Sequence, residues 1–412
     1  MLTQGEGVLR TTRRLMLVGG SLATVSRARA QGVGAKPIRI GVLNDPNGVY
    51  ADNGGVGCVI ATRLAVEEVG TVLGRPIEVL TGDNQNKADL AVSITREWFD
   101  NQGVDLIVDG ASSGAGLAMQ QVAREKKRIF VITGPATSDL TGPACSPYGF
   151  HFAYDTYSLA RGTGDAVTRR GGDTWFFITA DYAFGSALQR DATRFIEAAG
   201  GRVLGSVRHP IGTTDFSSQL VQAQSSGAKV VALANAGADT QNALKQAAEF
   251  GVVQGGQQLA ALLVFITDVV SVGLPTAQGL LLTTSFYWDR TDETRAWAGR
   301  FMKQKDRPPS LIQAGCYSGV RHWLGAVKAA GTMDADAVAA AMRATPVNDM
   351  NNRDVRIRAD GRVMCDMYLM QVKTPEESKA RFDLYQAVST IPAEQAFRPL
   401  SEGGCPLVKV GG

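Results

Sequence analysis

Short apolar runs alternate with amphipathic stretches along most of this chain. Ile38-Arg-Ile-Gly-Val-Leu43 predicts a strand, Asn44 to Asn53 a loop, and Gly54 to about Val69 a helix. The same alternation continues with strands at Ile77–Leu80, Asp105–Asp109 and Ile129–Thr133, and helices at Lys87–Asn101 and Leu117–Lys126. It restarts after the aromatic run Phe150 to Tyr157. Trp175, Phe176, Phe177 and Ile178 are too few for a helix and rich in strand formers, so they predict a fully buried parallel strand. Asp181 to Gly185 makes a loop, and Ala187, Leu188, Ala192, Phe195 and Ile196 share one helical face behind it.

Further strands are predicted near 202–207, 229–234, 260–265 and 279–284, with helices near 215–226, 239–250, 292–304, 310–331 and 334–344. Beyond Asn348 the pattern changes to short strands at Val355–Arg358 and Met367–Val372, and the tail after Ile391 has no period. Strands that alternate with helices call for parallel sheets covered on both faces. Because the layer starts twice, the expected architecture is two α/β lobes, with ligands at the carboxyl ends of the strands. Phe150–Tyr157 and Ser285–Asp289 are expected to cross between the lobes.

The N-terminus stands apart from this pattern. Arg10, Arg13 and Arg14 precede an apolar stretch from Leu15 to Val25 and a small-x-small site at Ala28-Arg-Ala30, the layout of a cleaved export signal. The stretch is too short to span a bilayer as a helix, and Thr12-Arg-Arg-Leu15 leaves the Sec and twin-arginine routes both open. The whole chain carries 42 basic and 39 acidic residues; residues 1–30 hold five Arg and one Glu, so the remainder has 37 and 38, net −1. No basic stripe is left to argue for nucleic acid. None of the five cysteines has metal-like spacing. Cys58, Cys316 and Cys365 fall in apolar settings, whereas Cys145 and Cys405 fall in turns and are the expected disulfide of an exported chain.

Candidate chemistry gathers at strand ends. Gly110-Ala-Ser-Ser-Gly114 fits G-x-S-x-G between a strand and a helix, which makes Ser112 a formal candidate nucleophile. With three His in all and no HGGG-type segment, a better use of Ser112 and Ser113 is to hold a carboxylate at a helix N-terminus. Thr137 and the backbone at Ala136 occupy the same place after the next strand, although a hydroxyl there can simply cap a helix. Gly55-Val-Gly57 lacks the third glycine of a dinucleotide fingerprint, and no H-E-x-x-H helix occurs, so neither a cofactor nor a metal is expected. Tyr50, Tyr154, Tyr157, Tyr182, Phe286, Tyr287 and Trp288 fall on strand ends or crossings and would line a cleft. Asn235 and Asp239 end one second-lobe strand, and Asp268 the next, where it could receive a ligand ammonium.

In order and spacing, Ile38–Leu43, Ser112-Ser113, Gly134-Pro-Ala-Thr137, Asp181-Tyr-Ala-Phe-Gly185, Asp215-Phe-Ser217 and Ser285–Trp288 resemble the leucine/isoleucine/valine-binding family of periplasmic substrate-binding proteins of ABC importers. The resemblance covers nearly all of the chain after the leader. It implies a type I two-lobed fold joined by three crossing segments, with lobe I over 36–153 and 285–354, lobe II over 154–284 and 355–390, and an extension over 391–412. It also implies a monomer in the periplasm, a small-molecule ligand, membrane permease partners and binding by hinge closure without turnover. Ser113 and Thr137 would hold a ligand carboxylate, Tyr182 would close over it, and Asp268 would take an α-ammonium, with Asp in place of the usual Glu. Asn235-Ala-Gly-Ala-Asp239 departs from the family where amino-acid binders carry an aromatic, which leaves room for an aromatic or other carboxylate. A ligand sensor of the amide or urea type and a secreted serine hydrolase are the alternative readings.

Overall fold

The computed structural model describes residues 36–408. The predicted leader and its cleavage near Ala30 lie outside the described residues. The first lobe is a five-stranded parallel sheet in the order β2-β1-β3-β4-β5, made of Ile38–Asn44 (β1), Ile77–Asp83 (β2), Leu106–Asp109 (β3), Ile129–Ile132 (β4) and Gly149–His151 (β5). Helices Gly55–Val69 (α1), Ala88–Asp100 (α2) and Ser113–Lys126 (α3) connect the first four strands. The second lobe repeats the plan with Thr174–Ala180 (β6), Arg202–His209 (β7), Val230–Ala234 (β8) and Gln258–Ala261 (β9), parallel in the order β7-β6-β8-β9. Central strands β3, β4 and β8 are buried along their whole length, as their unbroken apolar runs require.

Both sheets reverse strand order beside their first strand, β1 or β6. That reversal opens a crevice at the carboxyl ends, and loops from both lobes meet there.

Four details differ from the sequence pattern. The run beginning at Phe150 does not leave the first lobe at once, because Gly149–His151 pairs with β4 as an edge strand. Val355–Arg358 forms isolated bridges only, Val347 to Val355 and Ile357 to Val363, and Arg362 bridges His151 beside β5. Predicted strand 260–265 is shorter, because residues after Ala261 leave the sheet and turn into the crevice. Finally, Leu281–Thr284 (β10), Met367–Val372 (β11) and Tyr385–Ile391 (β12) make a separate antiparallel sheet, and β12 is mostly exposed. An exposed edge strand has no apolar alternation to announce it. Cys145 and Cys405 are disulfide-bonded, with Cα atoms 5.6 Å apart, and fasten the tail to the loop before β5.

Candidate ligand-binding cleft

The crevice encloses a cavity walled from the first lobe by Tyr50, Gly54, Gly55, Asp109, Ala111, Ser113, Gly134, Ala136 and Ile312, with Tyr154 at the boundary between the lobes. The second lobe adds Tyr182 and Phe184 after β6, Ala236 after β8, and Leu263 and Phe265 after β9. In this closed arrangement the cavity is narrow, with room for little more than a water.

Ser113 opens α3 at the end of β3. Its Oγ accepts hydrogen bonds from the backbone N–H of Ala136 (3.2 Å) and Thr137 (3.1 Å). A hydroxyl has one proton to give, and among the described residues that of Ser113 meets no protein acceptor. The first amides of α3 lie in the same place, so the wall here offers donors and the positive end of a helix. Opposite it, the Tyr50 and Tyr182 phenols hydrogen-bond to each other across the crevice. Tyr154 donates its phenol proton to the Gly134 carbonyl (2.8 Å) and turns its ring to the cavity.

Asp109 is the one acidic side chain on the wall. It closes β3 with φ +82°, a left-handed conformation that a non-glycine residue holds only when its surroundings fix it. Those surroundings are donors: Asn44 Nδ2 at 2.8 Å, Thr133 Oγ1 at 3.0 Å, the Ala111 amide and the Cys58 thiol. Burial nevertheless pushes its pKa up. Cys58, Cys316 and Asp109 ligand atoms lie within 4.8 Å of one another. Burial also raises both thiol pKa values, so the sulfurs stay protonated beside the carboxylate.

The profile of the periplasmic binding protein family matches residues 37–380. The chain belongs to that family. A periplasmic binding protein from Burkholderia mallei is 50% identical, with TM-score 0.89 over 91% of this chain and 100% of that one. A branched chain amino acid ABC transporter periplasmic ligand-binding protein from Burkholderia xenovorans LB400 is 41% identical, with TM-score 0.80 over 90% and 99% of the two chains. The Leu/Ile/Val-binding protein homolog 4 of Brucella abortus (strain 2308) is 22% identical over 325 residues, 75% of this chain and 77% of that protein.

Of the residues singled out in the sequence, the binding protein brings Tyr50, Ser113, Ala136 and Tyr182 together on the cavity wall. Ser112 instead caps α3, accepting from the Ala115 amide at 3.4 Å. The three histidine rings meet other groups: His151 the Pro135 carbonyl, His209 Pro210 and Asn235, His322 the Met342 carbonyl. Thr137 Oγ1 accepts from the Asp139 amide and caps a short turn. Asn235 is held by His209 and by Thr240, whose hydroxyl donates to it at 2.7 Å. Phe286 packs edge-on against Trp297 and lines a different hollow.

Asp268 is fully buried and off the wall. It accepts from the Phe265 amide (2.9 Å), Gln241 Nε2 (2.8 Å) and Asn53 Nδ2 (3.3 Å), the last from the other lobe. Burial, only partly offset by these donors, lifts its pKa to about 7. Sequence reasoning missed Asp109. An acid followed by glycine at the end of an all-apolar strand was the available signal for Asp109.

Proposed function

We propose that this binding protein is the extracytoplasmic substrate-binding subunit of an ABC importer. It works as a monomer in the periplasm, closes on a small carboxylate and hands it to the membrane permease subunits. The observation that carries this reading is Ser113. Its hydroxyl proton is uncommitted at the N-terminus of a 14-residue helix, facing a mostly apolar wall on the other lobe. That arrangement suits an anionic head with an apolar remainder. The similarity to the ABC transporter periplasmic ligand-binding protein of Burkholderia xenovorans LB400 supports the transport role.

Lobe I then holds 36–153 and 285–354, and lobe II 154–284 and the β11–β12 region to 390. The bridge from Arg362 to His151 favours counting 355–363 with lobe I. Binding works through a ligand-biased open–closed equilibrium, not turnover. Tyr50, Ala136 and Tyr182 act with Ser113 at the ligand, while Ser112, Thr137 and Asn235 support the loops that carry them, and Phe286 packs at a crossing.

Thermal shift of the protein purified from periplasm, against short aliphatic and aromatic carboxylates, α-amino acids, amides and urea, tests the reading. A carboxylate at 100 times its dissociation constant adds about 2.7 kcal/mol, and Ser113→Ala should weaken it at least tenfold. A response to amides or urea alone, or one that Ser113→Ala leaves intact, would refute it.

A further inference from the structure

Among the described residues, the second lobe puts no carboxylate on this cavity wall to receive a ligand ammonium. Its wall is Tyr182, Phe184, Ala236, Leu263 and Phe265, apolar apart from one phenol that is paired with Tyr50. An α-amino acid carries three ammonium donors close to its carboxylate, and burying that cation without an acceptor is prohibitive.

Two of the three acids nearby, Asp268 and Asp109, are already engaged. Asp268, which the sequence nominates for the ammonium, points its oxygens at the Phe265 amide, Gln241 and Asn53, and is fully buried behind the wall. Protein amides therefore stand where a ligand ammonium would have to stand. Asp109 is on the wall but meets Asn44, Thr133, the Ala111 amide and the Cys58 thiol, on the same side as the Ser113 cradle. Asp239 lies off the wall near the paired phenols. Its Oδ2 accepts from the Gly212 amide and its Oδ1 has no protein partner. No Lys, Arg or His lines the cavity, so a second carboxylate on the ligand would also be buried without a counter-charge.

Resting on the carboxylate reading above, we infer that the ligand is a monocarboxylate with no amino group. Its head meets Ser113 and the first amides of α3, and its apolar remainder meets Tyr154, Leu263 and Phe265.

The test is calorimetry on protein freed of co-purified ligand by unfolding and refolding, with probes that share a carbon skeleton. L-valine, 3-methyl-2-oxobutanoate and isovalerate form one set; L-phenylalanine, phenylpyruvate and 3-phenylpropanoate another; acetoacetate, benzoate and succinate complete the panel. The expected result is that the best binder lacks an amine and binds at least tenfold tighter than any amino acid, with succinate silent. An amino acid that binds as tightly as its amine-free partner would overturn the inference and leave the carboxylate reading standing. Loss of that binding in Asp239→Asn or Asp268→Asn would identify the ammonium partner. No binding by any carboxylate would overturn both.

Discussion

The phenol oxygens of Tyr50 and Tyr182, 132 residues apart and on opposite lobes, share a hydrogen bond that closes the cavity. Tyr50 is buried and Tyr182 partly buried, and burial raises both phenol pKa values, so both stay protonated at any ordinary pH. One proton bridges the pair, and the other is free to reach a ligand. A neutral hydrogen bond of this kind contributes about 1 kcal/mol. Tyr182→Phe should therefore weaken ligand binding about three- to tenfold and leave the melting temperature of the ligand-free protein nearly unchanged. Unaltered affinity in both Tyr182→Phe and Tyr50→Phe would show that the contact has no part in closure.

Closure also depends on a glycine. Gly237 precedes the helix Ala238–Glu249 with φ +63°, and a Cβ built there would stand 2.4 Å from the Val49 carbonyl oxygen of the other lobe. That carbonyl accepts from the Ala238 amide at 3.1 Å, so the two backbones touch. Gly237→Ala should hold the lobes apart. Small-angle scattering should find no compaction on adding ligand, and affinity should fall more than tenfold. The backbone strain itself, about 1 kcal/mol, is present in the open form too and lowers the melting temperature only modestly. Normal compaction in this variant would mean that the closed contact is looser than drawn.

Much of this architecture was legible because buried parallel strands announce themselves. β3, β4, β6 and β8 are mainly apolar runs, as is β1 apart from Arg39, and the loops after β1, β3, β4 and β6 carry Tyr50, Ser113, Ala136 and Tyr182. Three-residue β5 and exposed β12 have no such signature, since pairing with neighbours rather than local pattern makes them strands. For a related reason the sequence does not show that Asp268 is bonded behind the wall to Phe265, Gln241 and Asn53. Its partner Asn53 is 215 residues away, and no local pattern reveals that a carboxylate is already bonded from the far lobe. Likewise Ser112 and Ser113 look equivalent in sequence, yet one residue along a helix start turns the first into a cap and the second into the wall.

The Cys145–Cys405 bond closes a segment of 260 residues and lies away from the cavity. In the chain-entropy picture, constraining so long a loop contributes at most about 5 kcal/mol. The Cys145→Ser, Cys405→Ser double variant should melt several degrees lower while binding ligand with unchanged affinity. Alkylation of the denatured wild type should modify three cysteines before reduction and five after it, because Cys58, Cys316 and Cys365 are free. A fall in affinity as large as the fall in stability would instead connect the tail to closure.

Asp268 makes stability depend on pH in a definite direction. Its folded pKa, raised by burial to about 7, exceeds the ordinary 3.8, so between these values the folded protein keeps a proton that the unfolded chain has lost. Stability from this group is greatest at low pH and declines as pH rises through the window, levelling above about 7. Asp239 acts in the same sense, also lifted by burial to about 7. Buried His151, His209 and His322 have lowered values and oppose it below pH 6.5. The comparison that isolates Asp268 is therefore wild type against Asp268→Asn. At about 1.4 kcal/mol per unit, the wild type should lose roughly 2–3 kcal/mol relative to the variant between pH 5 and pH 8, read by urea unfolding at each pH. Parallel stability curves for the two proteins would mean that Asp268 titrates as an ordinary surface acid, and its burial between Asn53 and Gln241 would have to be abandoned.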